Sequence, residues 1–390
     1  MLRIAAVSRY FPSSAEPWQG RSAYETLRVL PSDADIHVFY PNPIFPAFLR
    51  PRSRLFVGLD KSYSPGQVNV TYFDYPALPL ISRPFNGAMA ASTLLPHVRA
   101  FRPDLIFSPF LYPVSYAGLQ IAKKLGVPLV AMGIGSDIHS IADRISAMYT
   151  RRVLREADFL VTVSDDLRQR AIAMGASPDR SRAILNGCDP SVFHVRDRVE
   201  VRRQLGVDPE SRVVMYVGRI DVRKGVRELV EAAIKLHPDH PDLQVYMVGE
   251  GPDEPLIKQA IEAAGAGSYI KMRPPCLPND VALWMAAGDV ATLPSYMEGC
   301  PNVVLEALAC GRPVVSTRVG GIPEIMNDSC GRLVPPRDST ALAEALDTVL
   351  ATSWDADAIS GHWSRSWSTV ADELMDVFRT VAGASRGAPA

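Results

Sequence analysis

The chain has 390 residues, of which 47% are hydrophobic and 21% charged, a globular composition that excludes a largely disordered protein. This length exceeds what one hydrophobic core usually organises and predicts two domains. The net charge of −1 combines 21 Lys and Arg against 15 Asp and Glu up to Val195 with 20 against 27 beyond it.

The charge distribution contains no dense basic run, so we expect no nucleic-acid partner. The mildly basic first half fits peripheral contact with an anionic membrane surface, although ordinary surface charge is the simpler interpretation. No stretch approaches the roughly 18 apolar residues of a membrane span, and the opening MLRIAAVSRYF resembles a first strand rather than a leader. We expect a cytoplasmic protein, either free or at the inner face of the plasma membrane.

The cysteines give no sign of a metal site or of a disulfide framework. They are five in number, lie in the second half apart from Cys188 and lack CxxC spacing. This pattern favours a reducing compartment, and we expect neither a structural metal nor a cofactor.

Strand-like runs alternate with helix-like stretches along the whole chain. Predicted strands cover residues 3–9, 35–40, 104–109, 128–133, 158–164, 182–186, 213–218, 243–249, 269–273, 290–295 and 313–318. Short apolar strands separated by helices are typical of parallel sheets covered on both faces. The pattern predicts an α/β protein with two doubly wound, Rossmann-like domains.

Domain boundaries follow from breaks in this rhythm. We place the first domain at 1–195, the second at 196–365, and a C-terminal helix with a frayed tail at 366–390, the helix returning to the first domain. Residues 41–80, rich in proline, are predicted to form an irregular excursion over the first sheet. This excursion could shape an acceptor pocket or be a plain surface insertion.

Loops that follow strands in the second half carry the chemistry, because ligands bind beyond the carboxyl ends of parallel strands. The loop VGRIDVRKGV, 217–226, contains Arg219 and Lys224, two cations that suit a diphosphate, although basic residues in a loop are usually a solvated surface. The loop VGEGP, 248–252, contains Gly249, which would let backbone come close to a ligand.

The segment SYMEGCPNVVLEALACGRPVV, 295–315, combines two glutamates with a predicted helix start. Pro301 suits the first helical turn, and the segment Gly299, Cys300, Pro301 and Asn302 would form an anion-binding helix N-terminus. Glu298 in the loop and Glu306 one turn into the helix are acceptors suited to sugar hydroxyls. The alternative is that Glu298 only complements the helix dipole and Glu306 is an exposed helix residue.

These motifs, with VGGIPEI at 319–325 and GRLVPPRD at 331–338, resemble the retaining glycosyltransferases of family 4, "glycosyl transferases group 1". The first half resembles the family more loosely, through QGRSAYE, GIGSDIH and NGCD. The resemblance implies a GT-B enzyme, with two Rossmann-like domains facing across a cleft. It further implies transfer of a sugar from a nucleotide sugar to a glycan or lipid-linked acceptor in cell-surface polysaccharide biosynthesis, without a metal.

The resemblance also assigns roles. Arg219 and Lys224 would hold the donor diphosphate, Glu306 the ribose, and Glu298 the donor sugar together with the amides that follow it. Gly249 would lie against the nucleotide, and Gly20 would let backbone approach the donor phosphates. Asp137 would orient the acceptor or merely cap a helix.

One position departs from the family pattern, which often has His-Gly before Ser or Thr and Asp. Here the run is Ile134-Gly135-Ser136-Asp137, and the nearest histidine is His139. A degenerate chain that binds nucleotide sugar without turnover is the alternative function. The presence of four charged site residues, Arg219, Lys224, Glu298 and Glu306, argues against this alternative. A dehydrogenase is disfavoured because no GxGxxG follows the first strand.

Overall fold

The computed structural model describes residues 1–17, 19–46, 59–78, 82–141, 143–363 and 365–386. The chain forms two compact units, the first made of Met1–Asn186 with the segment from Trp367 onward, the second of Gly187–Ser366. The division after Asn186 therefore precedes the boundary predicted at Val195. Backbone contacts explain the shift, because the Cys188 N–H already donates to the Arg365 carbonyl at 2.8 Å, within the second unit.

A parallel sheet organises the first unit. Its strands are β1 (Leu2–Val7), β2 (Ala34–Ile44), β3 (Asn69–Pro76), β4 (Leu105–Pro109), β5 (Leu129–Gly133), β6 (Phe159–Thr162) and β7 (Ser181–Ala183). They are ordered β3-β2-β1-β4-β5-β6-β7, and Ile4 of β1 lies opposite Ile36 on one side and Leu105 on the other. Because the strand order reverses between β1 and β4, the sheet is doubly wound.

Helices cover the first sheet because its central strands are apolar on both faces. Every residue of β4, LIFSP, is buried. The helices that precede the second unit in the chain are α1 (Arg21–Arg28), α2 (Asn86–Phe101), α3 (Tyr116–Leu125), α4 (Ser136–His139), α5 (Arg144–Glu156) and α6 (Asp165–Ala173).

The second unit repeats the same architecture. Its strands are β8 (Arg212–Val217), β9 (Leu243–Val248), β10 (Ile270–Arg273), β11 (Val290–Leu293), β12 (Val314–Thr317) and β13 (Gly331–Val334), in the parallel order β10-β9-β8-β11-β12-β13. Its helices are α7 (Arg198–Leu205), α8 (Val226–Leu236), α9 (Glu254–Ala263), α10 (Pro278–Ala287), α11 (Asn302–Ala309), α12 (Ile322–Ile325), α13 (Ser339–Ala351) and α14 (Ala356–His362). The fold class predicted from the sequence, two doubly wound α/β domains, is confirmed.

The last helix, α15 (Trp367–Arg386), completes the core of the first unit. Its Leu374, Met375 and Phe378 belong to the cluster that contains Phe107 of β4, and the Phe107 and Phe378 rings meet edge to face at 5.2 Å. Helical structure continues to Arg386, beyond the point where the sequence suggested fraying, and residues 387–390 lie outside the described part of the chain.

The prediction for residues 41–80 is wrong in part. β2 continues to Ile44 and β3 occupies Asn69–Pro76, so regular structure covers both ends of the predicted excursion. Residues 47–58 and 79–81 lie outside the described residues. β3 is an edge strand of its sheet and has exposed positions along its length, which hides the apolar run expected of a buried strand.

Candidate functional site

Loops at the carboxyl edge of the second sheet form one continuous group. The Ile220 N–H donates to the Glu250 carbonyl at 2.9 Å, which joins the loop after β8 to the loop after β9. Gly249 has φ +146°, and a side chain there would overlap the carbonyl oxygen of Gly218. The sequence predicted a close backbone approach at Gly249, and in this structure the backbone of the neighbouring loop makes that approach.

Asp221 shapes the loop after β8. Its carboxylate accepts from the Arg223 N–H at 3.0 Å and from the Arg223 guanidinium at 2.9 and 2.6 Å. These charge-assisted bonds to Arg223 lower the pKa of Asp221 to about 2. The Asp221 carbonyl accepts from the Lys224 N–H at 2.8 Å, which closes a turn and fixes the backbone of Lys224.

Gly225 brings the same loop against the end of β11. It has φ +70°, and a Cβ there would overlap the Pro294 carbonyl oxygen. The Tyr296 N–H donates to the Arg223 carbonyl at 2.9 Å. Two of the predicted site loops are therefore held together backbone to backbone.

Lys224 and Glu298 meet across these loops. The Lys224 Nζ lies 2.6 Å from the Glu298 Oε1, and their side chains are 33% and 10% exposed. Gly320, with φ +54°, lies against the backbone of Glu298, and the Gly321 N–H donates to the Gly299 carbonyl at 2.9 Å. The structure thus brings together two of the predicted catalytic residues and supports them from the loop after β12.

Arg219 lies at the rim of this cluster. Its side chain is 64% exposed, and its Nε lies 3.9 Å from the Asp221 Oδ2. A guanidinium in this position is accessible to an anion from solvent.

Helix α11 begins at Asn302 rather than at Pro301. Pro301 has φ −75° and ψ 116° and precedes the helix as its N-cap, so the prediction of Pro301 in the first turn is wrong by one residue. Its extended conformation is typical of an N-cap, which lies outside the helical φ/ψ region. Gly299, Cys300 and Pro301 are buried, and Asn302 is half-buried.

Glu306 is half-buried one turn into α11. Burial, with the Glu306 charge as the next contribution, raises the pKa of the Cys188 thiol. Glu306 also adds to the effect of burial that raises the pKa of Cys310 to about 12. Sequence reasoning did not connect Glu306 with these cysteines, and no spacing signal links Cys188 to a helix more than 100 residues later.

Asp137, in the first unit, joins two loops. It is 6% exposed, and its carboxylate accepts from the N–H groups of Leu111 at 3.0 Å, Ile134 at 3.1 Å and Gly135 at 2.9 Å. Burial raises the pKa of Asp137, and the backbone hydrogen bonds oppose that rise. The carboxylate thereby fixes the exits of β4 and β5 relative to each other.

Gly20 and His139 have defined packing roles. Gly20 has φ +65° and a Cβ there would overlap the Tyr10 carbonyl oxygen, so only glycine suits this position before α1. The His139 side chain is 7% exposed, and its Nε2 lies 3.6 Å from the Asp166 Oδ2.

Asp137 also lines a cavity of about 550 Å³ within the first unit. Sequence reasoning missed the other residues that define its chemistry, which include Arg9, Tyr10, Arg83 and Phe110. The Tyr10 and Phe110 rings stack at 4.0 Å. Their positions directly after β1 and β4 were the available signal.

The described residues contain neither a cluster suited to a metal ion nor a membrane-spanning helix. Among residues 1–17, 19–46, 59–78, 82–141, 143–363 and 365–386, no group of three or more His, Cys, Asp or Glu side chains could hold a metal ion. In the same part of the chain, no helix is both long enough and apolar enough to span a bilayer.

Models of known protein families match both halves of the chain. The model described as Glycosyltransferase Family 4 matches residues 19–192, and the model described as Glycosyl transferases group 1 matches residues 211–352. The two matches together cover the loops around Asp137 and around Glu298.

Similar proteins include the "Putative teichuronic acid biosynthesis glycosyltransferase TuaC" of Bacillus subtilis. The two are 28% identical, over 100% of this chain and 97% of TuaC. D-inositol 3-phosphate glycosyltransferase 1 of Catenulispora acidiphila is 30% identical, over 74% of this chain and 77% of that protein.

Solved structures show the same fold. Sucrose-phosphate synthase from Thermosynechococcus elongatus superimposes with a TM-score of 0.81 at 21% identity, over 98% of this chain and 100% of that one. Anabaena HepE in complex with UDP-glucose gives a TM-score of 0.73 at 18% identity, over 97% and 100%. The predicted GT-B fold class is confirmed.

The family matches lie in order along the chain, and a relative at 30% identity is aligned over 77% of its length. The chain therefore belongs to the family 4 glycosyltransferases, of the group 1 type.

Proposed function

We propose that this glycosyltransferase moves a sugar from a nucleoside-diphosphate sugar to a glycan or lipid-linked acceptor, with retention of anomeric configuration and without a metal. The contact that carries the proposal is the ion pair of Lys224 and Glu298, at 2.6 Å. It joins a cation suited to a diphosphate with a carboxylate suited to sugar hydroxyls at one edge of a nucleotide-binding type of sheet.

In this proposal the second unit holds the donor. Arg219 and Lys224 stabilise the charge that develops on the leaving diphosphate, which removes the need for a metal. Glu298 binds donor-sugar hydroxyls and Glu306 the ribose. The backbone of Gly249 and of the segment from Gly299 through Cys300 and Pro301 to Asn302 lies against the nucleotide and its phosphates.

The first unit serves the acceptor. Asp137, fixed by three backbone N–H groups, positions the loops around the acceptor, and Gly20 lets the first loop pack against the Tyr10 carbonyl before α1. The acceptor oxygen bonds to the anomeric carbon on the face from which the diphosphate leaves. The old carbon–oxygen bond breaks with its electron pair on the diphosphate, which also receives the acceptor's proton.

A role in cell-surface polysaccharide biosynthesis is supported by the similarity to TuaC, whose full name is "Putative teichuronic acid biosynthesis glycosyltransferase TuaC". UDP-glucose in the HepE structure supports a nucleotide-sugar donor.

Thermal unfolding in the presence of UDP-, GDP- and ADP-sugars tests the proposal. A ligand at 100 times its dissociation constant adds about 2.7 kcal/mol to the free energy of unfolding, so the true donor raises the midpoint by several degrees. Transfer is then assayed with the stabilising donor, and proton NMR coupling of the product's anomeric hydrogen reports retention. Donor binding without any hydrolysis or transfer would indicate the degenerate, non-catalytic chain instead, and an inverted product would contradict retention.

A further inference from the structure

Two cavities adjoin in the first unit. One is the cavity of about 550 Å³ that Asp137 lines, which we call the polar cavity. The other, of about 690 Å³, is lined by Ile44, Phe45, Pro46, Asp74, Tyr75, Pro76, Ala77, Leu78, Ser82, Phe85 and Met89, and we call it the apolar cavity. Phe45 and Leu78 line both, so the two cavities are neighbours across shared side chains.

The apolar cavity offers little to a sugar. Apart from Tyr75, its described lining has two polar side chains, Asp74 and Ser82. Asp74 accepts from the Asn42 Nδ2 at 2.7 Å and pairs with Lys61. Ser82 Oγ donates to the Leu78 carbonyl or to the Asn86 Oδ1, each at 2.9 Å. Hydroxyls of a glycan placed here would lose water without gaining partners, whereas a hydrocarbon chain would lose nothing.

The polar cavity offers cations and aromatic rings. Arg9 and Arg83 line it, against one carboxylate, Asp137, whose oxygens accept three backbone N–H groups. Guanidinium groups bind phosphate well because their N–H groups match its oxygens. Arg83 also contacts the Asp143 carboxylate, at 3.2 Å, and keeps further N–H groups for a phosphate. A phosphate beside a hydrocarbon chain therefore matches the two cavities in turn.

Exposed apolar side chains lie on elements that line the two cavities. Phe85, which lines the apolar cavity, is 59% exposed, and Ile145 and Met148 are 42% and 54% exposed on α5, the helix whose Ser146 and Thr150 line the polar cavity. The ion pair of Arg83 with Asp143 links the Phe85 turn to the start of α5.

The face of α5 around Met148 is basic. Arg144 precedes Met148 by four residues, and Arg151 and Arg155 follow it by three and seven residues. This spacing places the three arginines along one side of the helix, and all three are exposed. Apolar side chains flanked by cations are the pattern of a surface that contacts anionic lipid.

From this arrangement we propose that the acceptor of the transfer is a phosphate-linked lipid, whose hydrocarbon chain occupies the apolar cavity and whose phosphate lies at Arg9 and Arg83. The surface of Phe85, Ile145 and Met148 contacts the membrane that supplies it. The inference rests on the proposed function, because it names the acceptor of that reaction.

Alkyl phosphates below their micelle-forming concentration test the inference by calorimetry on the full chain. We expect dodecyl phosphate to bind at least about a hundredfold more tightly than butyl phosphate, since each buried methylene strengthens binding by about fourfold. Dodecyl maltoside, which has the chain without the phosphate, is expected to bind more weakly than dodecyl phosphate. Equal affinity for butyl and dodecyl phosphate, or for dodecyl phosphate and the maltoside, would overturn the proposal.

Leu78→Glu places a charge between the two cavities at a residue that is 39% exposed, and Leu277→Glu, at 59% exposure in the second unit, is the matched control. We expect Leu78→Glu alone to abolish the preference for the longer chain. Full dodecyl phosphate affinity in Leu78→Glu would overturn the assignment of the cavity. If Leu78→Glu does not fold, as judged by its thermal unfolding, Phe85→Glu replaces it.

Co-sedimentation with vesicles tests the membrane surface. We expect the protein to bind vesicles containing phosphatidylglycerol better than pure phosphatidylcholine, and Met148→Glu to weaken that binding at least fivefold. Leu256→Glu, at 47% exposure in the second unit, is the control. Unchanged binding by Met148→Glu would contradict the assigned surface. Donor binding by the unchanged protein is measured in a separate assay. Absence of donor binding would count against the proposed function. Normal donor binding, together with an alkyl phosphate affinity that does not depend on chain length, would overturn only the assignment of the acceptor.

Discussion

Lys224 and Glu298 are separated by 74 residues in the chain, yet their side chains form a partly buried ion pair at 2.6 Å. We expect Lys224→Ala and Glu298→Gln each to lower the transfer rate at least about a hundredfold, because each removes a group placed where charge develops or where the sugar binds. The free energy of unfolding should fall by no more than about 2 kcal/mol. Steady-state transfer assays and urea unfolding measure the two effects.

Arg227→Ala is the matched control for this prediction. Arg227 lies on α8, its side chain is 67% exposed, and it pairs with Glu231 at 3.7 Å. Its removal should leave transfer within about twofold of the unchanged protein, since exposed pairs contribute little. Near-normal transfer by Lys224→Ala would refute the assigned site.

Asp221 makes part of the stability depend on pH. Its pKa in the folded protein is about 2, below the ordinary value of 3.8, because Arg223 stabilises the carboxylate. Ionised Asp221 therefore stabilises the folded state above about pH 4, and this contribution disappears as the pH falls towards 2. Asp221→Asn should be less stable than the unchanged protein at pH 7, with the difference vanishing near pH 2, as measured by urea unfolding across that range. A difference that persists at pH 2 would assign the effect to packing.

For single residues, the sequence predicted which side chains belong to the candidate site better than it predicted their contacts. Two cations and Glu298 in loops after strands, with Glu306 one turn into the following helix, indicated a donor site. The pairing of Lys224 with Glu298 depends on strand order, which no local pattern encodes. Asp137 could have been either an acceptor group or a helix cap. The structure shows it accepting from Leu111, which lies 26 residues earlier and on a different loop.

Among the elements, the loops after β8, β9, β11 and β12 are held together by backbone contacts at glycines. Gly320, with φ +54°, lies against the Glu298 carbonyl. Gly320→Ala should destabilise the protein by at least about 2 kcal/mol more than Gly265→Ala, which shares a positive φ of +64° but has no atom within 4 Å of its added Cβ. The difference between the two variants in urea unfolding isolates the steric overlap. Equal losses would mean that the loop after β12 yields easily.

The strands most easily predicted were those buried on both faces. β4, β5 and β8 have apolar runs, and the sequence located each within one residue of its observed start. The edge strands β3 and β13 were not predicted, because each has exposed or half-buried positions and β13 is only four residues long. The other two edge strands, β7 and β10, overlap the predicted runs 182–186 and 269–273, so an edge position alone does not hide a strand.

At the scale of the whole molecule, α15 connects the end of the chain to its beginning. Phe378 is fully buried in the cluster of β1 and β4. Phe378→Ala should lower the free energy of unfolding by about 3–5 kcal/mol, the usual cost of removing a buried aromatic side chain. Arg379→Ala, next to it, is 50% exposed and pairs with Asp33 at 3.0 Å, so it should cost less than about 1 kcal/mol. Similar losses for both variants would show that α15 contributes little to this core.

The connection between Cys188 and Arg365 has a further consequence. A backbone hydrogen bond joins Cys188 to Arg365, so the points at which the chain enters and leaves the second unit are adjacent. In the sequence, the second unit therefore lies between two segments of the first and has adjoining ends. A fragment of residues 187–366 should therefore fold cooperatively on its own, without a linker to close it, and keep the thermal stabilisation that the donor gives the full chain. A fragment that folds but is not stabilised would show that donor affinity depends on residues of the first unit. Retained stabilisation would make residues 187–366 a portable nucleotide-sugar-binding module, which could be exchanged between enzymes without redesigning either junction.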